Sequence, residues 1–246
     1  MVFSMKKIAV VSGKGGVGKT TISLAMSRAL AERYRVGLFD ADITGANTHL
    51  NLDIIKNFEI KGDKIIPAMA ELDGKKIEYM SIALVSDTYV KWKGDSVGEF
   101  IQQVIDKTNW NCEYLIIDGP PGTHSDAIKA IEISDIVVFV TIPTQFAYSD
   151  FEKVLKLVKD MKKPIAGVFL NFSSVKCPTC GNAFKLFENT FTYNIPVIQE
   201  IPFGDVRVDL DKLMKHLETP VVLMSKHSLK RELVKLFLRG IARWLP

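Results

Sequence analysis

Cysteine is scarce in this chain of 246 residues: there are three, at 112, 177 and 180. Three thiols in a chain this long make no disulfide framework, so a reducing, cytoplasmic setting is expected. No apolar run reaches the roughly 18 residues that a membrane span requires, so stable membrane insertion is not expected. The start, MVFSMKKIAV, lacks a long apolar stretch ending in a small-residue cleavage site. It reads as the approach to a strand and not as a signal peptide. The excess of basic over acidic residues is modest. A net +4 permits anionic ligands, but with no clustered basic patch nucleic acid is not expected as a partner. Internal repeats, low-complexity tracts and linkers are also missing, which predicts one domain over residues 1–246.

Short β-branched runs alternate with amphipathic stretches. Strands are expected at 6–12, 35–40, 114–118, 135–141, 165–171 and 196–202. Helices are expected at 21–34, 96–107, 125–132, 147–161 and 225–244. This rhythm predicts an α/β fold, a doubly wound and mostly parallel sheet with helices on both faces. Residues 56–83 alternate and turn at KGD and DGK. They read as an antiparallel excursion before the main sheet resumes.

The strongest motif is SGKGGVGKTT, residues 12–21. Gly13, Gly18, Lys19 and Thr20 satisfy G-x-x-x-x-G-K-[ST], which identifies a P-loop NTPase. Gly13, Gly15, Gly16 and Gly18 let the backbone curl so that N–H groups, those of Val17 and Thr21 among them, face phosphate oxygens. A helix opening at Gly18 adds its positive end. Lys19 would reach the β- and γ-phosphates of ATP, and the Thr20 hydroxyl would bind Mg²⁺.

Three aspartates end predicted strands. In open α/β sheets, ligands bind beyond the carboxyl ends of strands. Asp118 fits the magnesium-holding carboxylate that completes such a site. Asp42 is the candidate for orienting the attacking water, with Asp40 in the outer shell of the metal. A single strand-end aspartate is usually a cap or turn residue, but three beside a phosphate loop favour catalysis.

The second loop lysine, Lys14, has no evident role within one chain. GKGGVGKTT resembles the deviant phosphate loop of the Mrp/MinD/ParA ATPases. The resemblance covers nearly the whole chain and includes VKWKGD (90–95), YLIIDGPPGTHSDA and GVFLNFSSVKCPTCG. It implies a homodimer that hydrolyses ATP to ADP and phosphate, with Lys14 reaching the partner's nucleotide in trans. It further implies that ITGANT (43–48) and GPPGT (119–123) are switches, that Asn171 meets the adenine, and that the loop after Pro202 lines its other side.

Cys177 and Cys180 form a C-x-x-C pair in KCPTCGN. A redox dithiol would sit at a helix start in an early βαβ unit, whereas this pair follows a late strand. Two buried small residues suit the polar, turn-like sequence poorly. A metal centre wants about four ligands, and the pair offers two. The Mrp branch carries such a pair, and MinD and ParA proteins lack it. The resemblance therefore implies metallocentre assembly: two chains about a two-fold axis would supply four thiolates to zinc or a [4Fe-4S] cluster destined for a client metalloprotein or metallochaperone. The same scaffold also serves archaeal HypB-type proteins that insert nickel into hydrogenase with a HypA partner. On that reading His49 and His124, in the two switches, couple nucleotide to metal. A membrane- or DNA-binding positioning switch of the MinD/ParA kind is the rival class. Its support is the amphipathic C-terminal stretch, although the apolar residues of that stretch surround much of the helix and suit packing on the sheet. Cys112 reads as core. No acceptor-pocket signature points to a kinase.

Overall fold

The computed structural model describes residues 4–42, 48–81, 97–188 and 191–224. Three expectations fall outside them: the first switch except Thr48, the 90–95 segment and the C-terminal helix over 225–244.

The first strand sets the pattern. In β1 (Lys6–Val11), Ile8 and Val10 join one core cluster while Ala9 and Val11 join another, and all four are buried. A strand covered on both faces is apolar throughout and not alternating. The same holds for β2 (Val36–Asp40), β8 (Tyr114–Asp118), β9 (Ile136–Thr141) and β10 (Ile165–Asn171). Among the described residues the main sheet has nine strands, in the order β13 (Val197–Ile201), β10, β9, β1, β8, β2, β7 (Lys75–Ser81), β6 (Ala68–Leu72) and β3 (Asp53–Lys56). From β13 across to β7 all neighbours run parallel. The phosphate loop leaves β1, near the point where successive crossovers change direction, and parallel pairing brings the carboxyl ends of β1, β2 and β8 together.

Helices cover both faces. The helices α1 (Lys19–Leu30) and α5 (Leu210–Glu218) bury Ile22, Met26, Leu30, Leu213 and Leu217 on one face. On the other lie α2 (Val97–Lys107), α3 (Ser125–Ile133) and α4 (Gln145–Asp160). Fully buried side chains such as Phe151 and Leu30 are each worth about 2 kcal/mol in area removed from water.

Two expectations need correction. The described part of 56–83 does pair antiparallel and turn at KGD and DGK as expected, but most of its strand residues belong to the main sheet. The strand β7 lies inside the main sheet, parallel to β2, because Ile77, Tyr79, Met80 and Ser81 are all buried. β6 and β3 extend the same sheet antiparallel, and only β4 (Glu59–Lys61) with β5 (Lys64–Ile66) forms a hairpin apart. The first helix, expected over 21–34, runs from Lys19 to Leu30: it opens directly after Gly18, as the motif implied, and ends four residues short. The helix α5 had no counterpart among the expected elements. The remaining small hairpin, β11 (Ser174–Lys176) with β12 (Ala183–Lys185), carries the C-x-x-C pair at its turn.

Candidate functional site

The loop between β1 and α1 is shaped by its glycines. Gly16 and Gly18 have φ of 77° and 87°, a region that suits residues without a Cβ. Gly13 has a different task. A Cβ there would overlap the α4 backbone at Asp150 and Phe151, so it lets helix and loop touch. The helix α1 starts with no side-chain cap at Gly18 and no acidic residue in its first turn. Its leading N–H groups are left to face an anion, as at other phosphate-binding helix starts.

Around this loop lies a cleft of about 230 Å³ lined by Ser12, Lys14, Gly15, Gly16, Gly18, Lys19, Thr20, Thr21, Asp42 and Pro121. Most of the motif residues and Asp42 therefore come together, although Asp42 lies two residues beyond β2. Ser12 opens the motif, and Pro121 comes from the 119–123 segment expected as the second switch. Pro121 lies 3.8 Å from the point where a Gly15 Cβ would stand, and Gly122 N–H donates to the Ser12 carbonyl at 2.9 Å. The 119–123 segment is thus tied to the start of the loop.

Register places the carboxylates. Asp40 is paired with Asp118 across β2 and β8, and both are 1 % exposed. Lys19 Nζ lies 3.3 Å from Asp118 Oδ1, and Ser23 Oγ donates to the same oxygen at 3.0 Å. Sequence reading missed Ser23. Its signal was the four-residue spacing from Lys19, which puts both on one helix face. Asp40 accepts the N–H of Asp42 at 3.1 Å and that of Thr48 at 3.4 Å. Burial pushes the Asp40 carboxyl up to about 6; the Asp118 charge adds to the rise, and hydrogen bonds from Thr48 and Asp42 oppose it.

Lys14 is exposed and lines the cleft. Its charge helps hold the Asp150 carboxyl below the usual range, a shift due first to the Lys153 hydrogen bond. Val17 is buried, and its carbonyl accepts from Asn171 Nδ2 at 2.9 Å. Asn171 Oδ1 is buried without a partner, an acceptor that a ligand amino group would satisfy. Pro202 follows the end of β13, and neither it nor Asn171 lines the phosphate cleft itself.

The Cys177–Cys180 turn is a tight knuckle. Cys177 N–H donates to the Asn182 carbonyl at 2.9 Å, and Gly181 N–H donates to the Cys177 carbonyl at 2.9 Å. Backbone N–H groups of Cys180 and Thr179, in that order of weight, hold the Cys177 thiol below its usual range. Amides aimed at a sulfur favour its thiolate, the form that binds metal. Cys180 is exposed and Cys177 half-buried. Among the described residues, no group of three or more His, Cys, Asp or Glu side chains is gathered to hold a metal. His124 caps the start of α3 and is exposed, and His49 lies in the short helix at Thr48–Asn51. Neither joins the cysteines in such a group. Cys112 is buried against Met5, as expected of a core residue.

Comparison with known proteins agrees with this geometry. The family model described as ParA, NUBPL iron-transfer P-loop NTPase, matches residues 4–241. An iron–sulfur cluster carrier protein of Pyrococcus abyssi is 33% identical over 234 residues, covering 88% of this chain and 79% of its own. A cytosolic Fe-S cluster assembly factor, the NUBP2 homolog of Dictyostelium discoideum, is 34% identical, covering 74% and 73%. Among solved structures, a nucleotide-binding protein of Archaeoglobus fulgidus in complex with ADP superposes with a TM-score of 0.66 at 26% identity, covering 86% of this chain and 85% of that one. The septum site-determining protein MinD of Pyrococcus horikoshii, complexed with Mg-ADP, shares the fold with a TM-score of 0.58 at 22% identity, covering 88% and 90%. The chain belongs to the ParA family of NUBPL-type iron-transfer P-loop NTPases, together with the iron–sulfur cluster carrier proteins.

Proposed function

We propose that this protein is a Mg²⁺-dependent ATPase of metallocentre assembly. As a nucleotide-switched cytoplasmic homodimer, it carries an iron–sulfur cluster or metal held between two Cys177–Cys180 knuckles to client proteins. The observation that carries the reading is the pairing, in one chain, of an uncapped phosphate-loop helix with a thiolate-favouring knuckle that holds only two ligands. The names of the relatives support the cargo, and the ADP-bound neighbours support the nucleotide.

The residues fit the nucleotide and its metal. Loop N–H groups would cradle the phosphates. Lys19 would move from Asp118 onto the β- and γ-oxygens, and the freed Asp118 with the Thr20 hydroxyl offers hard oxygen donors suited to Mg²⁺. Asp40 stands one strand over as an outer-shell acceptor. When bound, the metal neutralises charge on the transferring phosphate. Asp42, which lines the cleft, would accept a hydrogen bond from the attacking water and orient its oxygen toward the γ-phosphorus. Lys14 would enter the partner's cleft and stabilise charge there. Asn171 Oδ1 would accept from the adenine amino group, with the loop after Pro202 on the other face of the base. The cluster or metal is cargo, and the four thiolates of two chains would hold it.

Turnover and binding separate these roles. Lys19→Ala should abolish ADP binding by calorimetry. Asp42→Ala should bind ADP as wild type does, yet lose about 100-fold or more in kcat. Hydrolysis by Asp42→Ala at the wild-type rate would remove Asp42 from the mechanism.

A further inference from the structure

Residues 172–176 join Asn171, which touches the phosphate loop, to Cys177, which opens the knuckle. At one end, Asn171 Nδ2 donates to the Val17 carbonyl, and its amide fills the space where a Gly18 side chain would stand. At the other end β11 runs straight into the knuckle. Between them, Phe172 has φ of 54°. Left-handed backbone is rare for a bulky residue, and it persists only where the surroundings hold it.

The restraints on Phe172 can be named. Asn171 pins one side. The Phe172 ring packs on Phe203 with centroids 5.4 Å apart and planes tilted by 55°. Ser173 N–H donates to the Ile201 carbonyl at 3.0 Å, and Phe203 N–H donates to the Ser174 carbonyl at 2.7 Å. The turn after β10 is therefore latched to the end of β13 on one side and to the phosphate loop on the other. A strained residue between two latches has a second conformation available once one latch lets go.

We propose that Phe172 is a positioning residue that passes nucleotide occupancy to the cysteine knuckle. The proposal rests on the nucleotide reading above, in which the base engages Asn171. When it does, Asn171 Oδ1 gains a partner while Nδ2 keeps its bond to Val17, the latch on the left-handed Phe172 tightens, and β11 is held so that Cys177 and Cys180 keep one orientation. The bistable element is this one residue, and the nucleotide biases it through the side chain next to it.

The test uses the full chain, freed of metal and reduced, and follows modification of its exposed thiols by 5,5′-dithiobis(2-nitrobenzoate). Rates are compared without nucleotide and at Mg-ADP concentrations that calorimetry shows to saturate each variant. In the wild type, Mg-ADP should change the rate at Cys177 and Cys180 by about fivefold or more, the low end of ordinary coupling between sites. In Phe172→Gly the left-handed backbone carries no strain, and the change should fall below about twofold. Phe203→Ala, at an exposed position, should blunt the response to an intermediate degree by removing only the ring contact. Wild-type thiols indifferent to bound ADP would overturn the relay, and so would a wild-type response in Phe172→Gly. Failure of the wild type to bind ADP at all would overturn the nucleotide reading, and the relay with it.

Discussion

Lys19 and Ser23, one turn apart on α1, donate to the same oxygen of Asp118. The buried lysine is thus held beside the cleft by a carboxylate that the proposed mechanism gives to magnesium. Breaking one partner of a buried pair costs about 3 kcal/mol, so Lys19→Ala must be shown to be folded before its loss of binding is read. The knuckle is a second case of a residue set by its neighbours. Because N–H groups hold the Cys177 thiol below its usual range, its thiolate persists to lower pH. Alkylation of Cys177 by iodoacetamide, followed by mass spectrometry, should show a midpoint below that of free cysteine, about 8.5. Thr179→Pro removes one of the N–H donors and should raise that midpoint. A midpoint at or above the free value in the parent chain would contradict the amide-stabilised thiolate.

At the scale of elements, two loop glycines that look alike in sequence do different work. Alanine at Gly13 drives a Cβ into the backbone of α4, and the helix must shift, at about 3 kcal/mol or more. Alanine at Gly16 meets no atom within 4 Å and suffers only the left-handed backbone, about 1–2 kcal/mol. Without ligands, thermal unfolding should therefore rank Gly13→Ala below Gly16→Ala, and the reverse order would sever loop from α4. Sequence pattern resolved the buried strands well. The limits of β8 and β10 match the expected 114–118 and 165–171, because runs buried on both faces stop sharply at polar ends. It found the turn before β7 but not its place beside β2, because Lys75, Lys76 and Glu78 look exposed while the second half of the strand is core. It missed α5, although Leu210, Leu213, Met214 and Leu217 recur at helical spacing and the Asp209 side chain caps the first turn. The gathering of the site was legible for the phosphate loop and Asp42. The bond from Asn171 to Val17, the Ser23 bond to Asp118 and the Phe172–Phe203 contact depend on tertiary placement that no local pattern records.

At the scale of the whole molecule, two features are incomplete within one chain. Lys14 lies exposed at the cleft while Lys19 already serves it, and the cysteine knuckle offers two ligands where a closed site needs about four. The proposed two-fold dimer would complete both. If Lys14 works in trans, Lys14→Ala should keep ADP binding and lose about 100-fold or more in hydrolysis. Mixing it with Asp42→Ala should recover part of the activity, because one composite site in each mixed dimer is then intact. No recovery in confirmed mixed dimers would place Lys14 in cis. The most direct test of the account is the metal content of the protein, purified without oxygen and measured together with its oligomeric state. The account predicts one zinc or one [4Fe-4S] cluster per two chains, lost in Cys177→Ser and in Cys180→Ser and retained in Cys112→Ser. One metal per chain, or metal retained in both knuckle variants, would contradict it.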